Sequence, residues 1–106
     1  MRWTTATLRA VIAGGLLSAC SQEPLSPLAR QGHQVYLGQC ISCHHTDPTT
    51  PGAVGPPIKG SSEALLEAKV LKGAYPPGYE PKRPTKVMPP MPQLAGDLPA
   101  LAEYLR

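Results

Sequence analysis

Residues 40–45 read Cys-Ile-Ser-Cys-His-His, two thiols and two imidazoles within six positions. Four chemistries compete for such a group. A structural zinc ion takes four ligands, usually as two spaced pairs; besides His44 the only imidazoles are His33 and His45, and there is no second cysteine pair. A thioredoxin-like redox pair belongs to a βαβ setting, whereas no segment here alternates apolar and polar residues with period two. A plain disulfide would only staple the turn. The fourth is covalent haem attachment, for which Cys-x-x-Cys-His is the pattern. Two thiols three residues apart lie close on a helical turn, where each adds across a vinyl group, and the next residue sets an imidazole under the iron. On that reading Cys40 and Cys43 are thioether anchors and His44 is an axial ligand. His45 is expected to be a partly exposed neighbour, and His33, seven residues before Cys40, a surface side chain.

Outward from this group the pattern is all-α. A first helix is predicted over about 28–39, with Ser26 as its N-cap and Pro27 at the first helical position. Residues 48–57 are punctuated by Pro48, Pro51, Gly52, Gly55, Pro56 and Pro57 and exclude helix. Ser61 or Ser62 caps a second helix carrying Leu65, Leu66, Lys69 and Val70 at helical spacing and ending before Gly73. Seven prolines between Pro76 and Pro92 exclude helix and central strand alike. A last helix fits 98–105, where Leu98, Leu101, Ala102 and Leu105 form an i, i+3, i+4, i+7 stripe behind Asp97 as N-cap. The expectation is three short helices joined by stiff loops.

The amino-terminal 19 residues read as a removable export signal: Arg2 and Arg9 supply positive charge, Ala10 to Leu17 is a short apolar run, and Ser18 and Ala19 are small. The run is too short to span a bilayer, which takes roughly 20 apolar residues. Leu17-Ser18-Ala19-Cys20 resembles the lipobox of bacterial lipoproteins, whose cysteine is acylated and becomes the first mature residue. The resemblance implies lipidation of Cys20, a tether over 20–27 and a domain over 28–106. Two or more acyl chains anchor a protein stably where one does not. Acylation also accounts for a third cysteine that would otherwise be a reactive leftover in an exported chain. Ser21 resembles the outer-membrane sorting pattern of lipoproteins, and neither the inner nor the outer membrane is singled out.

Loss of Arg2 and Arg9 with the signal lowers the formal charge from +3 to +1, and nothing in the chain has the basic character of a nucleic-acid binder. With Trp3 gone and no Phe anywhere, Tyr36, Tyr75, Tyr79 and Tyr104 are the only aromatics left. So small a domain needs a staple or an internal guest to complete a core.

From residue 28 to the end the chain resembles the class I c-type cytochromes, a small all-α fold of three to four short helices packed around one covalently bound haem c. Gly32-x-x-Val35-Tyr36-x-x-x-Cys40 is similar to the first helix of that family, where a glycine and an aromatic cross the last helix; here that implies Gly32 and Tyr36 against Leu101 and Tyr104. Gly55-Pro56-Pro57, with Gly60, resembles the family's loop in which a proline carbonyl accepts the ring N–H of the proximal histidine, so Pro56 is expected to steady His44. Ile58 stands where leucine is usual. Residues 86–92, Lys-Val-Met-Pro-Pro-Met-Pro, offer two thioethers. The resemblance implies Met88 as sixth ligand, with Met91 as the alternative or as a side chain packed on the haem. Tyr75, Tyr79 and Arg83 fall where the family approaches the haem propionates. Lys82, Arg83 and Lys86 are equally suited to those propionates, to docking an acidic partner or to solvent.

Iron held by histidine and methionine has no open position, which leaves one-electron transfer and no small-molecule substrate. The expectation is a membrane-tethered periplasmic electron carrier or relay, not an enzyme. Its implied partners are a quinol-oxidising complex, a terminal oxidase or reductase, or a dehydrogenase, of which it would otherwise be a fixed subunit. The rival is a five-coordinate haem enzyme or sensor for peroxide or a diatomic gas, which requires that neither methionine binds.

Overall fold

The computed structural model describes residues 14–15 and 23–106. The expected export signal (Gly14 and Gly15 apart) and the lipobox residue Cys20 lie outside the described residues. Ser26 opens the first helix as expected: its Oγ accepts the Ala29 N–H at 3.1 Å, Pro27 occupies the first turn, and α1 runs Pro27–Gln39. Such a cap is worth about 1 kcal/mol. The buried face of α1, Ala29, Gly32 and Tyr36, is turned toward the last helix.

Ser62, not Ser61, caps the second helix by accepting the Leu65 N–H at 3.1 Å. This helix, α2 (Glu63–Leu66), widens without a break into a π turn at Glu67–Leu71, which the apolar spacing does not reveal. Its end is fixed by Gly73 in the left-handed region, φ 63°, where a side chain would be strained. In a regular α-helix the Ala74 N–H would return to the Val70 carbonyl. Here it reaches back to Ala68 at 3.0 Å, and the Val70 carbonyl instead accepts the Met91 N–H at 2.6 Å. The wider turn thus gives the second helix a backbone contact to the proline-rich loop.

That loop is irregular as far as Met91, but Pro92 does not end it in coil: it starts a 3-10 helix, Pro92–Asp97, that runs directly into α3 (Leu98–Leu105). The expected capping role of Asp97 is therefore corrected. Asp97 precedes α3 with near-helical angles, φ −94° and ψ −9°, and makes no side-chain cap, because a side-chain cap needs an extended residue at that point. The far end of α3 is closed by a neighbouring loop. Gly60, at φ 82°, donates its N–H to the Leu105 carbonyl, and the Lys59 ammonium donates to the Tyr104 carbonyl at 3.1 Å.

The helices make one small globule, and among the described residues there is no strand. Its centre is the crossing of α1 and α3. At Gly32 the two backbones come so close that a Cβ would overlap the Ala100 carbonyl, and Tyr36 lies tilted on Tyr104 with ring centroids 5.5 Å apart. Tyr36, Leu66, Val70, Leu94, Leu98, Leu101 and Leu105 form the apolar core. His33, on the outer part of this crossing, is half-buried, with its ring stacked on Tyr104 at 4.8 Å. No helix among the described residues is long and apolar enough to cross a membrane.

Candidate functional site

Past α1 the chain makes one further turn, in which the N–H groups of Cys43 and His44 both return to the Cys40 carbonyl at 3.2 and 2.9 Å. The turn brings Cys40, Cys43 and His44 onto the wall of one cleft. Burial pushes the Cys40 thiol up to about 11, so as a free group it is a neutral, apolar wall atom and not a thiolate. Both thiols are unbridged.

The loop after the turn is wrapped around His44. The Cys43 carbonyl accepts the N–H groups of Val54 and Gly55, and the Pro48 carbonyl accepts those of Ile58 and Lys59. Glycines are required at two places: a Cβ on Gly52 would overlap the Cys43–His44 backbone, and one on Gly55 would strike the imidazole itself. Pro56 then sets its carbonyl 2.9 Å from His44 Nδ1. A carbonyl only accepts, so Nδ1 carries the proton, and in the neutral ring the lone pair is then on Nε2, the arrangement seen when the second ring nitrogen is to bind a metal. His44 is buried, and its ring is held in plane and in tautomer.

The opposite side of the cleft comes from the proline-rich loop and α2. Met88 and Met91 both line it, half-buried, with Ile58, Leu66, Val70 and Leu101 making its apolar floor. Met91 is tied by its backbone on both sides, its N–H to Val70 and its carbonyl to Leu94 N–H at 3.0 Å. The rim is polar. Lys82 donates to the Pro57 carbonyl at 2.7 Å and Arg83 to the Val54 carbonyl, joining the proline-rich loop to the loop around His44. Tyr75 and Tyr79 stack at 5.4 Å, and the Lys69 ammonium sits 4.4 Å from the Tyr75 ring. The cleft is open at its mouth, and apolar side chains make most of its wall.

The residues expected at the site thus meet in one place: Cys40, Cys43, His44, Pro56, Met88, Met91, Tyr75, Tyr79 and Arg83 all border this cleft. Lys86 is exposed and does not border it. His45 is exposed and turned to the outside, where its Nδ1 accepts the Asp47 N–H at 2.9 Å. Three features were not foreseen. Gly52 is required by the close approach of the loop, Lys69 stands over Tyr75, and the Tyr36 hydroxyl donates to the His45 carbonyl. The last was open to inference, since a buried phenol must find a partner. A comparison with known protein families finds none that matches this chain, and a comparison with curated proteins likewise finds no match.

Proposed function

We propose that the chain is a monohaem c-type cytochrome of the class I kind, exported, anchored through lipid at Cys20, and acting as a one-electron carrier between membrane redox complexes. The observation that carries the proposal is the Nδ1–H of His44 bonded to the Pro56 carbonyl inside a cleft that also holds both thiols and both methionines. A cleft with an apolar floor, a cationic rim, a lone-pair nitrogen and thioether donors suits an iron porphyrin with two carboxylates. The glycines at 52 and 55 supply the close fit around the proximal histidine.

On this reading Cys40 and Cys43 would hold the porphyrin by thioethers, and His44 through Nε2 and Met88, with Met91 as alternative, would bind its iron. Haem so held supplies one-electron exchange at iron, at a potential raised by a thioether ligand. The protein's own contributions are positional. Pro56 fixes the imidazole, the prolines around Met88 hold a weak ligand in a stiff loop, and the apolar floor excludes water. Tyr75, Tyr79, Lys82 and Arg83 offer hydroxyls and positive charge at the rim. Quinol-oxidising complexes, terminal oxidases or reductases and dehydrogenases are the proposed partners, and the tether would raise their effective concentration.

The test is production in a host that matures c-type cytochromes. A coloured protein whose haem resists acid–acetone extraction, whose ferrous form ignores carbon monoxide and whose ferric form shows the methionine–iron band in the far red is the expected result. A colourless protein would refute the haem, and carbon monoxide binding by the native protein would favour the five-coordinate enzyme or sensor.

A further inference from the structure

Of the chain's tyrosines only Tyr36 is fully buried. For packing against Leu101, Leu105 and Tyr104 a phenylalanine would serve equally, so the hydroxyl needs a reason of its own. It donates to the carbonyl of His45 at 2.5 Å. That carbonyl belongs to the residue directly after His44, and the exposed side of the same residue is held by the Asp47 N–H on His45 Nδ1. On the other flank, the His44 N–H is held by Cys40, and the Cys43 carbonyl by Val54 and Gly55. Tyr36 thus supplies the inner restraint on the backbone just beyond His44.

We infer that Tyr36 is a positioning residue for His44: its hydroxyl, through the His45 carbonyl, fixes the backbone after His44 so that Nδ1 stays on the Pro56 carbonyl while Nε2 is aimed into the cleft. The geometry stands whether or not a haem is bound; only its consequence for iron rests on the proposed function. Tyr36→Phe keeps the ring and removes the restraint, leaving the His45 carbonyl without this partner.

The measurement is solvent exchange of the His44 Nδ1 proton by NMR, in the full chain as produced, for wild type and Tyr36→Phe. Losing this hydrogen bond is expected to speed that exchange about five- to tenfold. Ser26→Ala serves as a control, since it removes the cap of α1 far from His44 and lowers stability without touching the restraint. It should leave the exchange unchanged. In haem-loaded protein, Tyr36→Phe should also shift the electron paramagnetic resonance g-values of the ferric state, and Ser26→Ala should not. Exchange in Tyr36→Phe within twofold of wild type, or an equal change in Ser26→Ala, would overturn the inference. Should the wild-type protein prove to carry no haem, the carrier function falls, while the exchange comparison still decides the role of Tyr36.

Discussion

At the scale of single residues, the site depends on atoms that are missing from glycine. Gly55 lets the imidazole of His44 lie flat on the chain, and a Cβ there would occupy the ring's own space. Gly55→Ala is therefore expected to cost about 1–3 kcal/mol, as overpacking does, and to disturb the spectrum of bound haem; thermal melts and absorption together check it. Pro56→Ala should be far milder, because the acceptor is a backbone carbonyl that alanine also has. Burial raises Tyr36 to about 12, with the charge on Cys40 a lesser cause. The sign follows directly. In the unfolded chain the phenol loses its proton near its ordinary value of 10 while the folded chain keeps it, so stability is complete below about pH 10 and falls as the pH climbs towards about 12. Tyr36 is expected to account for roughly 2 kcal/mol of that loss, seen in denaturant titrations at pH 9 and pH 12 as a smaller drop for Tyr36→Phe than for wild type, with the Tyr104 phenol, also raised by burial, contributing in both. These residues differ in how legible they were. Cys40, Cys43 and His44 announce themselves by spacing, and Pro56 by resemblance. Gly52 does not, because its necessity comes from the backbone of Cys43 and His44, a contact that no local pattern records.

Among the elements, the crossing of α1 and α3 is the joint most sensitive to one methyl group. Gly32→Ala would drive a Cβ into the Ala100 carbonyl, with Tyr104 close behind, so the helices must part. A loss of about 2–4 kcal/mol is expected, measured by chemical unfolding, and larger than the roughly 1 kcal/mol expected of Gly73→Ala, whose penalty is local backbone strain. The three α-helices could be read from capping serines, proline placement and apolar stripes, because those signals are local. The π turn could not: Leu65, Leu66, Lys69 and Val70 fit an ordinary helix equally well, and the contact that goes with it is tertiary, the Met91 N–H taking the Val70 carbonyl. The 3-10 helix at Pro92–Asp97 was hidden for the opposite reason. A run of prolines reads as coil, yet a proline is well placed at the start of a helix.

For the molecule as a whole, the core is made of few side chains, and the cleft beside it is lined by apolar groups from α2, the π turn, α3 and both long loops. A large apolar guest would complete that core. Cys40→Ala with Cys43→Ala is expected to abolish retained colour after denaturing extraction and to lower the melting temperature by at least 10 °C, given that about 1 kcal/mol corresponds to roughly 4–8 °C in a domain of this size. Calorimetry on the two purified forms checks it; equal melting temperatures would mean that the cleft's contents do not bear on the fold.

The clasp between α1 and α3 has a bearing on the order of events during folding. Tyr36 and Tyr104 stand at opposite ends of the globule's sequence, and bringing them together closes a loop whose entropy costs roughly 4 kcal/mol. So distant a contact is late and slow compared with the turns inside each helix. Cys40 and Cys43 follow directly on α1, and more than 50 residues separate them from α3, the helix that α1 must cross. If the proposed function holds, the open chain is the form in which both thiols are accessible for attachment, and closure of the clasp would lock in whatever had been joined.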